Sequence, residues 1–382
     1  MQQTHDIILI GAGCSSMQWL DVFHAKNLGS EKRILLLEKD ADTPERTWCF
    51  WSAKEHHFDH LVSHRWSKVK FASQLGEVIQ TIDPFTYQYV SGRSFFDYAY
   101  KKVNADDRIV RVTAEVKETS RNDNLTTVVT SSGTYAAPEV YSSVPNPEKL
   151  HKYKKKQNLP GLYQHFRGWF IDTEEDVFDP ELITLMDFRT EQKGGAVFFY
   201  TLPFSTKKAL VECTVFGAEP WDEADYEERL REYTERYISS DITITHREAG
   251  QIPMSMINFD AFRFDGTKSL GTAAGLVKPS TGYMFLRSLR NVERLTDKTR
   301  EPEKPRRFAF YDRLLLGIIR DEPQQISRIM YHLFSRNAFT HVFRFLDEET
   351  TLKEDVKMLS TLPYAPFLKQ LTKQSFSRKR VV

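Results

Sequence analysis

The sequence predicts an α/β fold: a dinucleotide-binding domain of Rossmann type, a β-sheet lobe and a helical C-terminal region. Three observations predict it. A short apolar run, Ile7-Ile-Leu-Ile10, passes directly into Gly11-Ala-Gly13; a second glycine-rich stretch, Gly271 to Tyr283 (GTAAGLVKPSTGY), follows far downstream; and long β-type runs lie between the two. A nicotinamide-only dehydrogenase needs just the first glycine element. An extended cofactor held at both ends needs both, which points to FAD.

The apolar run suits a strand buried in a parallel sheet. Gly11 and Gly13 let the chain turn tightly and bring backbone N–H groups to a pyrophosphate at the N-terminus of the helix beginning near Cys14. Ser16 replaces the third glycine of the fingerprint, a position that governs helix–strand packing and tolerates a small side chain. Arg33 to Glu38 reads as a second strand ending in an acid where a ribose hydroxyl acceptor is expected. The competing reading is a glycine turn between any strand and helix, with Glu38 a solvated charge. The aromatic connection RTWCFW (Arg46 to Trp51) is too apolar for an ordinary exposed loop, and residues 62–90 are rich in β-branched and aromatic residues, which suggests strands. A helix from Arg93 returns to the nucleotide domain, where Arg93 meets either a phosphate or a solvent-exposed partner. Ile109 to Tyr141 is expected to be a meander with a turn at Arg121-Asn-Asp-Asn124.

A sheet lobe is predicted over 151–255 from LITLMDF (182–188), AVFFYTLPF (196–204) and KALVECTVF (208–216). Tyr226, Leu230, Tyr233 and Tyr237 then mark an amphipathic helix from Trp221 to Ile238. The chain returns to the FAD domain over 256–305 and turns helical over 306–382, with Ile326, Ile329, Met330, Leu333 and Phe334, then Phe339, Val342, Phe343 and Leu346, at helical spacing. The first part of the FAD domain therefore spans 1–150, with a strand insertion at about 52–92.

At 382 residues the chain can bury a large core, and a net charge of +1 gives no general reason to expect nucleic acid. Cys14, Cys49 and Cys213 stand far apart with no metal-ligand spacing, so neither a disulfide framework nor a zinc site is expected. Thiols of this kind fit a reducing cytosol. Met1 to Thr4 lead straight into the first strand without room for a signal peptide, and no apolar run has the length of a membrane span.

With RTWCFW, the Met186-Asp187 pair, the strand carrying Glu212 and the Lys278-Pro-Ser-Thr-Gly-Tyr283 ending in view, the chain resembles the flavin-dependent lycopene β-cyclase family over nearly its whole length. The resemblance implies a fold like the flavoprotein hydroxylases, with Gly11, Gly13, Ser16, Glu38, Arg93, Gly271, Gly275, Pro279 and Gly282 as cofactor-binding candidates. It also implies cyclisation of the linear ends of lycopene into β-rings, giving γ-carotene and then β-carotene. FAD is implied to work in its reduced form without net redox change, with NADPH needed only to reduce it.

A polyene end offers no heteroatom, so ring closure must begin by protonating a terminal double bond, which requires an acid near a dry pocket. Glu212 lies on an otherwise apolar strand, where burial raises a carboxyl pKa, and the family's catalytic glutamate falls at this position. The competing reading is a solvated acid on an edge strand. Cys213 stands where the family often carries a second acid, and Asp187 is the candidate to replace it; the alternative for Asp187 is capping or pairing within the sheet. Trp48, Phe50, Trp51 and Phe199 are candidates to line the pocket through cation–π attraction, against plain core packing.

Two departures from hydroxylase patterns, Val140 to Pro147 in place of an Asp-Gly element and Thr272 in place of a ribityl-binding aspartate, argue against oxygen chemistry. A flavin monooxygenase, a polyprenyl reductase and a silent subunit of a carotenoid-enzyme complex stay open as alternatives. Lycopene partitions into bilayers, so a cytoplasmic protein bound peripherally to the inner face of the membrane is expected. Lys369, Lys373, Arg378, Lys379 and Arg380, with no acid among them, suit an anionic leaflet, against the competing reading of a solvated disordered terminus.

Overall fold

The structure, a computed structural model, describes residues 3–29, 31–40, 47–157, 162–257, 259–299 and 305–378. Ile7–Ile10 is the centre of a five-stranded sheet in the order Lys268–Ser269, Glu139–Ser142, Ile7–Ile10, Ile34–Glu38, Ile109–Thr113, every pair parallel. Because the strand is buried on both faces, all four of its residues are apolar. Ile7 and Leu9 face the helices Cys14–Ala25, Gly92–Asn104 and Phe285–Asp297, while Ile8 and Ile10 face a four-stranded sheet built by Gln3–Thr4, Val116–Asn122, Leu125–Thr130 and Thr134–Ala137. The expected hairpin turn falls at Asp123-Asn124, where Asp123 adopts φ 50°. The same meander also supplies Ile109–Thr113 to the parallel sheet.

The second lobe is a seven-stranded sheet ordered Ile242–Met254, Leu162–Thr173, Lys208–Gly217, Ala196–Pro203, Leu182–Asp187, Lys68–Ser73, Gly76–Thr81. Its last two strands come from before residue 92. The sheet lobe therefore draws on the segment that sequence pattern assigns to an insertion in the FAD domain, through a parallel pairing of Leu182–Asp187 with Lys68–Ser73. No short loop signals such a pairing, because the partners are distant in the chain.

Strand alternation divides the sheet into two faces. Val211, Cys213 and Val215, with Val197, Phe199 and Trp169, pack beneath the helix Glu223–Tyr237 against Tyr226, Leu230 and Tyr233. Burial of Leu230, which is fully enclosed, contributes about 1.5–3 kcal/mol. Leu210 and Phe216, with Phe198, Tyr200 and Leu202, face the other way. That opposite face meets the three-stranded sheet Thr47–Ser52, Thr86–Ser91, His64–Trp66 and the C-terminal helices Gln325–Ser335 and Phe339–Leu346. Ile326, Ile329, Leu333, Phe334, Phe339, Val342 and Phe343 are all buried there, so the apolar stripes of these helices are spent on the core.

Candidate active site

The two glycine segments meet at the C-terminal edge of the parallel sheet. Leu270 N donates to Ser142 O at 2.7 Å, Ser288 Oγ hydrogen-bonds Ser15 Oγ at 2.7 Å, and Gln18 Nε2 donates to Phe285 O at 3.2 Å. Gly271 has φ +53°, and a Cβ there would sit 2.0 Å from Ser15 Oγ. Gly11 has φ +86°, and a Cβ there would lie 2.6 Å from Ser143 Oγ. Gly13 differs: its φ is −72°, and the nearest atom to an added Cβ is Ser143 Oγ at 3.8 Å. The protein's own packing does not demand glycine at position 13.

Gly13 opens the helix Cys14–Ala25 without a side-chain cap and without an acid in the first turn, which leaves first-turn N–H groups to an anion. Glu38 Oε2 accepts from Ala12 N at 2.6 Å, so the carboxylate lies directly against the glycine turn. An uncapped helix N-terminus, a glycine not required by internal packing and an acid beside the turn fit a dinucleotide. Ser16 is fully buried, its hydroxyl without a partner among the described residues. Arg93 is exposed in the first turn of the helix Gly92–Asn104.

The second segment is anchored to the C-terminal helices. Lys278 Nζ contacts both carboxylate oxygens of Asp312 at 2.8 Å and Glu348 Oε1 at 3.0 Å, and Ser280 Oγ donates to Asp312 Oδ1 at 2.7 Å. Pro279 lies between these two anchors. Gly275 adopts φ +67° as it ends the turn Gly271–Ala274, and Gly282, at φ +76°, leaves room for Gln164 Oε1 of the sheet lobe.

Glu212 is buried on an interior strand of the seven-stranded sheet, which rules out the edge-strand reading. Its Cα partners are Tyr200 on one side and Gly168 on the other, and Gly168 in turn pairs with Glu248. Burial pushes the Glu212 carboxyl up to about 8, the negative charge of Glu248 adds to the rise, and a hydrogen bond from Thr214 Oγ1 at 2.5 Å opposes it. Glu248 is also raised by burial, against a hydrogen bond from Thr47 Oγ1 to its Oε2 at 2.7 Å.

A ring of hydroxyls and aromatics completes this face. Cys49 lies beside Tyr200, Tyr200 Oη donates to Tyr87 Oη at 2.8 Å, and Tyr87 and Tyr283 share a hydrogen bond of 2.9 Å. Burial holds the thiol and all three phenols well above their ordinary values. Trp51 stacks on Phe343 with centroids 4.5 Å apart, meets Tyr283 edge-on at 4.6 Å, and donates its indole N–H to Asp347 at 3.1 Å. Cys49, Tyr87, Tyr200 and Tyr283 are therefore uncharged at neutral pH, and the Glu212 carboxyl beside them is shifted toward its protonated form.

Four of the residues expected in this pocket lie elsewhere. In the strand Thr47–Ser52 the odd positions face the acid and the even ones the nucleotide domain. Phe50 stacks on Phe285 at 4.9 Å and Trp48 packs on Phe95 at 5.2 Å, both in the nucleotide-domain core. Arg46, the first residue of the aromatic motif, lies outside the described residues. Phe199 stacks on Tyr233 at 3.9 Å beneath the helix Glu223–Tyr237, on the sheet face opposite Glu212. Asp187 points to that same opposite face, held by Tyr233 Oη at 2.9 Å and by Arg189 Nη2 at 2.6 Å, so pairing within the lobe is what it does. Glu248, Thr47, Cys49, Tyr87, Tyr200 and Tyr283 are not among the site residues expected from the sequence. The one available signal was Gly168, an isolated glycine in a strand, which marks a close approach.

The architecture is that of the flavoprotein monooxygenases and reductases. Over 98% of this chain and 100% of the other, it superposes with a TM-score of 0.59 and 12% identity on a geranylgeranyl bacteriochlorophyll reductase-like protein from Thermoplasma acidophilum. A flavoprotein/dehydrogenase from Cytophaga hutchinsonii gives 0.54 at 13% identity over 90% and 92% of the chains, and p-nitrophenol 4-monooxygenase from Pseudomonas putida gives 0.51 at 11% over 99% and 98%. Residues 6–372 match the lycopene cyclase protein family, and the chain belongs to it. Two chloroplast lycopene beta cyclases are similar over shorter stretches. That of Nicotiana tabacum is 34% identical over 147 residues, 35% of this chain and 29% of the relative; that of Narcissus pseudonarcissus is 31% identical over 153 residues, 37% and 29%.

Proposed function

We propose that the chain is a lycopene β-cyclase that closes the linear ends of lycopene into β-rings, through γ-carotene to β-carotene, by acid catalysis. The observation that carries this reading is the buried Glu212, pushed up to about 8 and facing an aromatic, hydroxyl-lined surface next to the cofactor cradle. The Glu212 O–H delivers its proton to the terminal double bond. The neighbouring alkene pair closes the ring, and loss of a ring proton to the carboxylate leaves the new double bond. Trp51, Tyr87, Tyr200 and Tyr283 present π density to the tertiary cation while excluding water.

The cradle at Gly11, Gly13, Glu38 and Gly271 would hold FAD. When bound and reduced, FAD supplies an electron-rich ring that steadies positive charge, and NADPH serves as its reductant. Lycopene and its cyclised products are isomers, so no electrons are consumed per turnover. A polyprenyl reductase of the same architecture, favoured only by the fold likeness, would consume NADPH in step with product. The protein acts in the cytoplasm, bound peripherally to the membrane that dissolves its substrate, where it can join a complex of carotenoid enzymes.

Expression in lycopene-accumulating cells with pigment chromatography tests the reading. The expected product is β-carotene, with lycopene retained by Glu212→Gln cells; unchanged lycopene with the wild-type protein and reduced FAD present overturns it.

A further inference from the structure

We propose that Glu248 and Glu212 act as one proton-sharing pair across the side-chain-free backbone of Gly168, with Glu248 as the positioning residue that keeps the proton on Glu212 and favours its return there after ring closure. The inference rests on the cyclase reading for its chemistry and on the sheet register for its geometry. Glu212, Gly168 and Glu248 form a single row across three adjacent strands and point to the same face. Neighbouring strands are about 4.8 Å apart, so carboxylates two strands away from each other can meet only over an intervening residue that has no side chain. Phe166 and Phe170 occupy the equivalent positions along the strand on either side of Gly168.

A Cβ on Gly168 would lie 3.3 Å from Glu248 Cγ, 3.4 Å from its Oε1 and 2.9 Å from Leu210 Cδ1, so the Glu248 side chain already leans over the gap. The Gly168 backbone lies outside the left-handed region, and what calls for glycine here is space. Thr47 fixes Glu248 Oε2, whereas Oε1 is buried with no hydrogen-bond partner among the described residues. A buried carboxyl oxygen without a partner, aimed over a gap toward a second carboxyl, fits a site where a proton passes.

The other titratable groups facing Glu212 are Cys49, Tyr200 and Tyr283, with Asp347 beyond Tyr283 and Trp51. Burial keeps the thiol and phenols neutral, which leaves Glu248 as the charge that Glu212 feels. The proton balance closes within the pair. The Glu212 O–H bond breaks as a C–H bond forms at the terminal alkene, an alkene pair makes the ring C–C bond, and a ring C–H bond breaks to leave its electrons as the new double bond. The released proton returns to a carboxylate of the pair, so the pair ends as it began, with no oxidant, reductant or external base.

Infrared titration of the Glu212 carboxyl in the purified full-length protein, alongside the pH–rate profile for lycopene, tests the proposal. With Glu248→Gln the Glu212 midpoint should fall by about one pH unit or more, as expected when a neighbouring like charge is removed. The alkaline limb of the rate profile should fall with it, and Glu248→Asp should restore part of the shift. Gly168→Ala, which pushes Glu248 aside without removing it, should move the midpoint in the same direction and serves if Glu248→Gln does not fold. An unmoved midpoint in the folded variants overturns the pair while leaving the cyclase reading intact. A midpoint that moves in a protein unable to convert lycopene leaves the pair standing and removes that reading.

Discussion

Ser15 and Gly271, far apart in the chain, are packed so closely that a methyl group on Gly271 would stand 2.0 Å from the Ser15 hydroxyl. This contact locks the first helix of the nucleotide domain to the second glycine segment, and Lys278 carries the connection on to Asp312 and Glu348 of the C-terminal region. The two glycine segments and the C-terminal region are thus tied by direct contacts, and a fault at Gly271 reaches both glycine segments.

Gly271→Ala and Gly13→Val separate fold from cofactor. At Gly271 an alanine meets both the left-handed backbone, at about 1–3 kcal/mol, and the Ser15 hydroxyl, so unfolding midpoint and FAD occupancy should both drop. At Gly13 an added Cβ has 3.8 Å of clearance from the protein. Gly13→Val should therefore unfold near the wild-type midpoint yet purify without FAD. Wild-type flavin occupancy in that variant would show that the cradle holds something else.

Glu212→Gln preserves shape and polarity but carries no transferable proton. Cyclisation should fall by about 10²-fold or more, with FAD occupancy unchanged, and wild-type activity should decline as pH rises through about 8. Stability carries the same signature. The native carboxyl holds its proton above the ordinary value of 4.5, so between pH 4.5 and about 8 the native state binds more protons than the unfolded one. Stability must then fall as pH rises across that window. Denaturant melts at pH 5 and pH 9 should show this loss, on the order of a few kcal/mol, in the wild type and a smaller one in Glu212→Gln.

Asp187→Asn should behave in the opposite manner. Its carboxylate is fully buried and clamped by Arg189 and Tyr233, and removing the charge leaves the guanidinium with only the longer ion pair to Glu77, at 3.6 Å. Breaking such a pair costs about 3–5 kcal/mol. The expected outcome is a clear drop in unfolding midpoint with kcat at low temperature close to wild type. A large loss of kcat in a stably folded Asp187→Asn protein would place this acid in the chemistry after all.

What the sequence made legible follows from range. The glycine turn, Ile7–Ile10 and the apolar strand around Glu212 are local patterns, and their burial follows from composition alone. The Glu212–Gly168–Glu248 row depends on the register of three strands, and the polar run Thr245 to Glu248 gives no hint that Glu248 is enclosed. Trp48 and Phe50 were indistinguishable from Trp51 by residue type. Strand parity sends them to the other core, and the same rule of two turns Phe199 and Asp187 away from Glu212.

Membrane binding should rest more on apolar contact than a count of C-terminal cations suggests. Lys369 pairs with Glu322 at 3.0 Å and Lys373 with Asp321 at 2.6 Å, while the Arg378 side chain and all of Lys379 and Arg380 lie outside the described residues. The helices over 326–346 bury their apolar stripes, and among the described residues no helix is long and apolar enough to cross a bilayer. Among the exposed apolar residues of the C-terminal region are Leu352 and Val356, at 59% each, and Tyr364 and Leu368, at 75% and 53%, each pair one helical turn apart. Such pairs can enter the headgroup–acyl boundary, with Lys353 and Lys357 beside the first. Flotation with anionic liposomes should show binding that high salt weakens but does not abolish, and Leu352→Ser combined with Leu368→Ser should reduce what remains at high salt. Complete release by salt alone would return the interaction to the basic tail, and no flotation with anionic or neutral vesicles at any salt would remove the membrane from the picture.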